Sequence, residues 1–131
     1  MQVLTKTELR QFTGDLVRYR HSINRNVIYT PGVKHVAEAG NAYWLIDAIA
    51  SHIGSPAFKK AAERDYRIGS LHFWTLDRDS RFCGVLAARA DGPETPFIAQ
   101  RLEFTDFPLD VIHIWAAYDG EHWTLYLPSE H

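Results

Sequence analysis

The amino-acid sequence predicts an α+β fold, with N-terminal helices packed on one face of a C-terminal antiparallel sheet of about five strands arranged as a meander. Apolar residues recur at helical spacing as far as Gly69, and beyond it they alternate at the two-residue period of strands. Turn-rich segments separate the alternating runs. At 131 residues with 46% hydrophobic residues, the chain can bury a core. We therefore expect residues 1–131 to form a single domain.

Three predicted helices begin at a hydroxyl residue that can cap the first turn, and the last two have proline at the next position. A fourth helix, the most apolar, spans residues 42–53, with apolar side chains around most of its circumference. Residues 17–29 are mixed and basic, and we interpret them as a loop with a short extended piece. The caps are Thr5 or Thr7 for the first helix and Thr30 and Ser55 for the other two, and the glycines that end helices are Gly14, Gly40, Gly54 and Gly69.

Five short strands are predicted in the second half of the chain, because apolar and polar residues alternate between clusters of Asp, Gly, Ser and Pro. Strands in close succession with short connections favour an antiparallel meander. The predicted strands are Leu71 to Leu76, Phe82 to Ala88, Phe97 to Phe104, Val111 to Tyr118 and His122 to Leu127.

The last two strands form a hairpin whose register the sequence predicts. A two-residue turn at Asp119 and Gly120 would pair Tyr118 with Glu121 and place Ala116 opposite Trp123. One face of this hairpin is then wholly apolar and packs on the helices. The other face is a mixed aromatic and imidazole surface, which we interpret as the candidate binding surface, formed by His113, Trp115, His122, Thr124 and Tyr126.

Composition and motifs exclude several function classes. The formal net charge of −2 and the pI near 6.4 disfavour nucleic acid as the partner of the whole molecule. The single cysteine, Cys83, excludes an internal disulfide and favours the cytoplasm. No run approaches eighteen apolar residues, so we expect no membrane span. Without a glycine-rich phosphate loop or a helical histidine pair, we expect no cofactor and no metal.

Histidines leave one metal hypothesis open. On the predicted register His113 and His122 are diagonal neighbours on one sheet face, and His72 on a nearby strand could join them. A catalytic zinc needs three converging protein ligands. The simpler interpretation is that these are surface histidines.

Asp47 is the carboxylate of most interest, because it lies within the most apolar helix. A buried ionised carboxylate needs a partner. Arg18, Arg20 or His21 could provide it if the preceding loop packs over Tyr43 and Asp47. The result is either a structural ion pair, which is the commoner outcome, or a small pocket formed by Arg20, His21, Tyr43 and Asp47.

Five segments carry a resemblance to a known family. They are FTG at 12–14, YTPGV at 29–33, AYWLID at 42–47, FTDFPL at 104–109 and LPSE at 127–130. In this order they resemble an uncharacterised family of small bacterial proteins that are often carried on plasmids and phages. The resemblance implies no catalytic residue and no ligand. It implies the setting of a mobile element, whose small proteins are often accessory factors or inhibitors of host defence, similar to anti-CRISPR proteins.

Three functions follow as hypotheses. The leading one is a non-enzymatic protein-binding module that engages a partner protein, or a second copy in a homodimer, through the candidate binding surface. The second is a small enzyme that uses Asp47 with His21 or His35 as an acid–base pair in a cleft. The third is a weak nucleic-acid binder that uses basic clusters at residues 18–25 and 59–67.

Overall fold

The computed structural model of the chain describes residues 4–13 and 17–131, and it confirms the α+β class with four α-helices and a seven-stranded mixed sheet in these residues. The predicted helix end at Gly14 lies outside them. The helices are α1 (Lys6–Leu9), α2 (Pro31–Ala39), α3 (Tyr43–His52) and α4 (Pro56–Arg64). The strands are β1 (Tyr19–Arg20), β2 (Val27–Tyr29), β3 (Leu71–Arg78), β4 (Gly84–Arg89), β5 (Ile98–Leu102), β6 (Val111–Tyr118) and β7 (Trp123–Tyr126), followed by a 3-10 turn at Pro128–Glu130.

The sheet is larger than the predicted five strands, and it is not purely antiparallel. Its order is β1-β2-β7-β6-β3-β4-β5, and β2 pairs with β7 in parallel while every other pair is antiparallel. The two additional strands lie in residues 17–29, which the sequence predicted as a loop with a short extended piece. Strands of two and three residues are too short to show an alternating pattern.

The predicted meander is also wrong, because β6 pairs with β3 and not with its predecessor β5. Strands β3 and β6 are each eight residues long and pair over seven positions, whereas β5 has only five residues. The longest apolar strands therefore lie side by side in the sheet centre. The connection at residues 103–110 crosses the end of the sheet, and its Phe107 is fully buried.

The hairpin of β6 and β7 is shifted by two residues from the predicted register. Tyr118 pairs with Trp123 and Trp115 with Tyr126. A two-residue type I′ turn needs positive φ at both central residues, and here only Gly120 has it, at 98°. The Asp119 carboxylate instead accepts the backbone N–H groups of residues 121 and 122 at 2.8 and 2.7 Å, which makes the loop longer. Because the shift is even, each strand residue keeps its predicted face.

The helices pack on one face of the sheet. On the two central strands His72, Trp74 and Leu76 of β3 and Ile112, Ile114 and Ala116 of β6 are buried, while the residues between them are half-buried or exposed. His52 of α3 stacks on Trp74 at 5.7 Å, and Phe58 of α4 contacts His72 and Trp123. One face therefore carries the core that the helices share with the sheet.

Hydrogen bonds of Glu130 join the C-terminal turn to the start of α2. Its carboxylate accepts a hydrogen bond from Thr30 Oγ1 at 2.6 Å, and from the backbone N–H groups of Leu127 at 2.9 Å and Gly32 at 3.3 Å. Negative charge is favoured at the N-terminus of a helix. A Cβ atom at Gly32 would lie 2.5 Å from Glu130 Oε1, so glycine leaves room for this contact.

We expect Glu130→Ala to lower the free energy of unfolding by about 2 kcal/mol, because three hydrogen bonds to a charged acceptor are lost at once. Urea unfolding followed by tryptophan fluorescence measures the change. Glu121→Ala is the matched control, since Glu121 is exposed in the β6–β7 loop, and it should stay within about 0.5 kcal/mol of wild type. Equal losses in the two variants would contradict this role of Glu130.

His72 is a neutral histidine enclosed by four aromatic rings. Its Nδ1–H donates to the backbone oxygen of Ile68 at 3.0 Å. Ring centroids of Phe58, Trp74, Phe97 and Trp123 lie 4.9 to 5.7 Å from its own. Burial outweighs the hydrogen bond that His72 donates to Ile68 and lowers the pKa of His72 from its usual 6.5 to about 4.

His72 should make the fold acid-sensitive. The unfolded chain takes up a proton near pH 6.5 and the folded chain only near pH 4, so stability is full above pH 6.5 and falls by about 3 kcal/mol as pH drops to 4. Urea unfolding at several pH values measures this slope. His72→Leu should remove that part of the slope, and the exposed-site control His113→Gln should retain it. An unchanged slope in His72→Leu would show that other groups cause the acid sensitivity.

Candidate functional site

The face of the sheet opposite the helices is the candidate binding surface, which we call the open sheet face. Strand register places one alternate set of residues from every strand on it. Its members include four of the five predicted binding residues. The open sheet face consists of Arg20, Ile28, Leu71, Phe73, Thr75, Asp77, Val85, Ala87, Arg89, Ala99, Arg101, Val111, His113, Trp115, Ala117, Thr124 and Tyr126.

A row of aromatic side chains crosses the middle of the open sheet face. Tyr126, Trp115 and Phe73 are register partners on β7, β6 and β3. Trp115 meets Tyr126 at 6.0 Å and Phe73 at 5.1 Å, with interplanar angles of 79° and 85°. His131 lies at one end of this row. Its ring stacks on Tyr126, and its Nδ1 forms a 3.0 Å hydrogen bond with the Tyr126 hydroxyl. The row continues onto β4 with Arg89, the register partner of Phe73.

The fifth predicted binding residue, His122, lies in the β6–β7 loop and not on a strand. The two-residue shift of the hairpin moves it out of the sheet. His72 is buried on the helix-covered face, whereas His113 is exposed on the other. The three histidines of the metal hypothesis therefore do not converge. Within residues 4–13 and 17–131, no three His, Cys, Asp or Glu side chains are placed to hold a metal ion.

Charge on the open sheet face differs in sign from that of the whole chain. The face carries three arginines and one aspartate, although the formal net charge is −2. Arg89 is held by hydrogen bonds to Thr75 Oγ1 and to the backbone oxygen of Glu94. Arg20 and Arg101 are exposed, and no carboxylate of the described residues forms an ion pair with either. The face is thus suited to an anionic partner.

His21 and Asp47 meet, as one version of the sequence hypothesis required. Asp47 Oδ1 lies 2.8 Å from Nε2 of His21. The carboxylate is not buried, however, since the Asp47 side chain is 67% exposed while that of His21 is only 7% exposed. Asp47 points outward from α3 into water, so its charge needs no buried partner.

The hydrogen bonds of His21 fix its tautomer. The backbone N–H groups of Asn24 and Ile23 point at Nδ1, at 2.9 and 3.3 Å, so Nδ1 is the acceptor. The proton is then on Nε2 and is donated to Asp47. Both ring nitrogens are occupied by the protein, which leaves no lone pair for a substrate proton. His35 pairs with Glu8 at 3.1 Å instead of with Asp47.

The other two residues of the predicted pocket lie elsewhere. Arg20 is on the open sheet face, opposite Ile28. The Tyr43 hydroxyl donates to Glu38 at 3.0 Å, and burial together with this hydrogen bond raises the pKa of Tyr43. Only two of the four predicted pocket residues are therefore in contact, and they form part of a structural connection.

Sequence reasoning missed Asn24, which joins the same loop to α3. Its Nδ2 donates to the backbone oxygens of Ala50 and Ile53 at 3.0 and 3.2 Å, at the C-terminal end of α3. Those oxygens have no partner within the helix. Asparagine in a basic loop indicated only a turn, and no local signal links it to a helix 26 residues away. Phe73 and Arg89 were missed because their strand neighbours were unknown.

The chain was compared with known proteins. A model of a family of unknown function, DUF6876, matches residues 3–131. The chain belongs to this family. No curated protein and no solved structure matches it. Membership in DUF6876 assigns no role to any residue. In the described part of this DUF6876 chain, no helix is long and apolar enough to cross a membrane.

The structural role of His21 makes a prediction about its two contacts. His21→Ala should lower the free energy of unfolding by about 2 kcal/mol, because a buried side chain is removed and two backbone N–H groups lose their acceptor. Asp47→Ala should cost less than about 1 kcal/mol, because Asp47 is exposed to water. Urea unfolding of both variants tests this. If Asp47→Ala costs as much as His21→Ala, the ion pair and not the loop contacts stabilises this region.

Proposed function

We propose that the protein is a non-enzymatic protein-binding module whose open sheet face docks on a partner protein. The observation that supports this is the aromatic row of Tyr126, Trp115 and Phe73, which lies on the face that the helices leave uncovered. Large aromatic residues beside arginine are the residue types that contribute most to binding energy at protein interfaces.

Ring geometry favours a protein over a nucleic acid as this partner. Proteins that bind single strands present flat ring faces on which successive bases stack. Here the rings of the aromatic row pack edge to face against one another, at 79° and 85°. The chain also lacks the strong positive charge of a nucleic-acid binder, since its formal net charge is −2.

The geometry of His21 gives the enzyme hypothesis no support. A general base needs a lone pair within reach of the substrate proton. Nδ1 of His21 accepts two backbone N–H groups and Nε2–H donates to Asp47, so neither nitrogen is available. These hydrogen bonds suit a structural role, in which His21 holds the loop before β2 in place.

The proposal includes the setting that the sequence resemblance implies. An accessory factor of a bacterial mobile element acts by engaging another protein, and inhibition of a host defence protein is one form of such action. A folded module with one uncovered sheet face suits that role, because it needs only a surface and no reaction centre.

Site-specific photo-crosslinking tests the proposal. Benzoylphenylalanine at positions 113 and 101, both exposed on the open sheet face, should give a discrete crosslinked product in cells of the source organism. The same group at positions 60 and 64, exposed on α4, is the matched control and should give none. Mass spectrometry then identifies the crosslinked chain.

Each outcome of the crosslinking experiment has a defined meaning. Products from 113 and 101 alone support docking through the open sheet face. A product that consists of two copies of this chain, with a dimer mass in light scattering, would mean that the partner is a second copy. Equal products from α4, or none from the sheet positions, would reject the open sheet face as the docking surface.

A further inference from the structure

A pocket of about 310 Å³ opens where α1, the start of β6 and the C-terminal turn meet. Its walls are apolar and come from all three elements, with Leu9, Val111, Leu127 and Pro128 as the main contributors. The walls are held in place by the protein: Leu9 and Leu127 are core residues, and Ser129 Oγ donates to the backbone oxygen of Leu9 at 3.0 Å. We call this the anchor pocket.

The rim of the anchor pocket is cationic. Lys6 and Arg10 provide the positive charge, His113 also lies on the rim, and none of the described residues contributes an acidic side chain to the lining. Lys6 is paired with Asp110 at 2.7 Å. Arg10 is exposed, and it has no ion pair with any carboxylate of the described residues. An apolar hollow beside a free guanidinium matches an apolar group that adjoins a carboxylate.

The anchor pocket is continuous with the open sheet face. Val111 and His113 line the pocket, and both are residues of β6 on that face. A partner lying on the aromatic row would therefore reach the pocket without leaving the surface. Interfaces commonly place one large side chain in such a pocket next to a flatter contact area.

We propose that the anchor pocket receives one apolar side chain from an acidic segment of the partner protein, and that Arg10 binds a neighbouring carboxylate of that segment. This inference rests on the proposed function and names the chemistry of the partner. The pocket volume is at the lower end of the range for ligand sites, which suits a single side chain. Arg20 and Arg101 on the open sheet face extend the same preference for negative charge.

A second copy of the chain is a poor occupant of this site. In a two-fold dimer the same patch lies on both subunits, so each cationic rim would approach its own copy. Like charges facing each other across an interface oppose binding. An acidic segment of a partner protein would instead pair its carboxylates with the basic side chains of the rim.

Peptide titration tests the inference directly on the intact protein. The probes are N-acetylated pentapeptides of sequence EELEE, EESEE and KKLKK, added to 15N-labelled protein and followed by amide chemical shifts. We expect EELEE to shift the amides of Leu9, Val111 and Leu127 in a saturable manner. EESEE lacks the apolar anchor and KKLKK reverses the charge, so both should bind at least about tenfold more weakly.

Two charge-reversal variants provide the matched comparison. Arg10→Glu should weaken binding of EELEE at least about tenfold. Arg25→Glu makes the same change in net charge at an exposed loop position far along the chain from the pocket, and it should alter binding less than about twofold. Equal loss in both variants, or equal binding of KKLKK, would overturn the inference, because attraction would then be neither local nor specific for acid.

Two further outcomes separate this inference from the proposed function. If EELEE shifts only amides around Trp115 and Thr75, the open sheet face stands and the anchor pocket is rejected. If 4-phenylbutyrate fills the pocket as tightly as EELEE, the ligand is a small carboxylate and the peptide assignment is wrong. Crosslinking from position 101 is independent of the pocket, so it tests the proposed function whatever the peptides do.

Discussion

The structure depends on one constraint: the helices cover a single face of a seven-stranded sheet. The two central strands therefore direct their fully buried apolar side chains to that side, as Trp74, Leu76 and Ile114 show. The other side of the sheet faces water, and it limits its exposed apolar area in a different way. Its aromatic rings pack on each other edge to face, which hides part of each ring. A surface of this kind is stable in water and still retains apolar area for a partner.

The segments that carry the family resemblance serve largely to close this architecture. YTPGV and LPSE meet where Glu130 caps α2. FTDFPL contributes the fully buried Phe107, in the connection that crosses the end of the sheet. In AYWLID, Asp47 accepts a hydrogen bond from His21, whose Nδ1 holds the loop before β2. In this structure these segments therefore have structural roles and none of them indicates a reaction. The open sheet face lies mainly on strands outside these segments.

Local patterns predicted the elements well and their partners poorly. Thr30 and Ser55 cap α2 and α4 as expected, because capping involves residues three apart. The alternation of apolar and polar residues in β6 assigned Trp115 and His113 to the correct face. Side chains alternate between the two faces of a strand, so a register shift of two residues leaves each on the same face. Strand order could not be predicted, because β6 pairs with β3 although the paired residues, from Asp77 with Val111 to Leu71 with Ala117, are far apart in the chain. For the same reason Phe73 and Arg89 were missed. His122 was placed on a strand for a different reason, because a two-residue turn was expected and the β6–β7 loop is longer.

Charge is the property for which averages over the whole chain mislead most. The net charge of −2 indicates no preference for an anionic partner, yet the open sheet face holds three arginines and one aspartate. Salt screens charges beyond a Debye length of about 8 Å, so a docking surface responds to groups within a few residues of it. The acidic residues that set the net charge lie mostly elsewhere, and several are already paired, as Asp65 and Glu94 are with Arg67. On the open sheet face and at the rim of the anchor pocket, Arg10, Arg20 and Arg101 form no ion pair with a carboxylate of the described residues, so a docking partner would meet their positive charge.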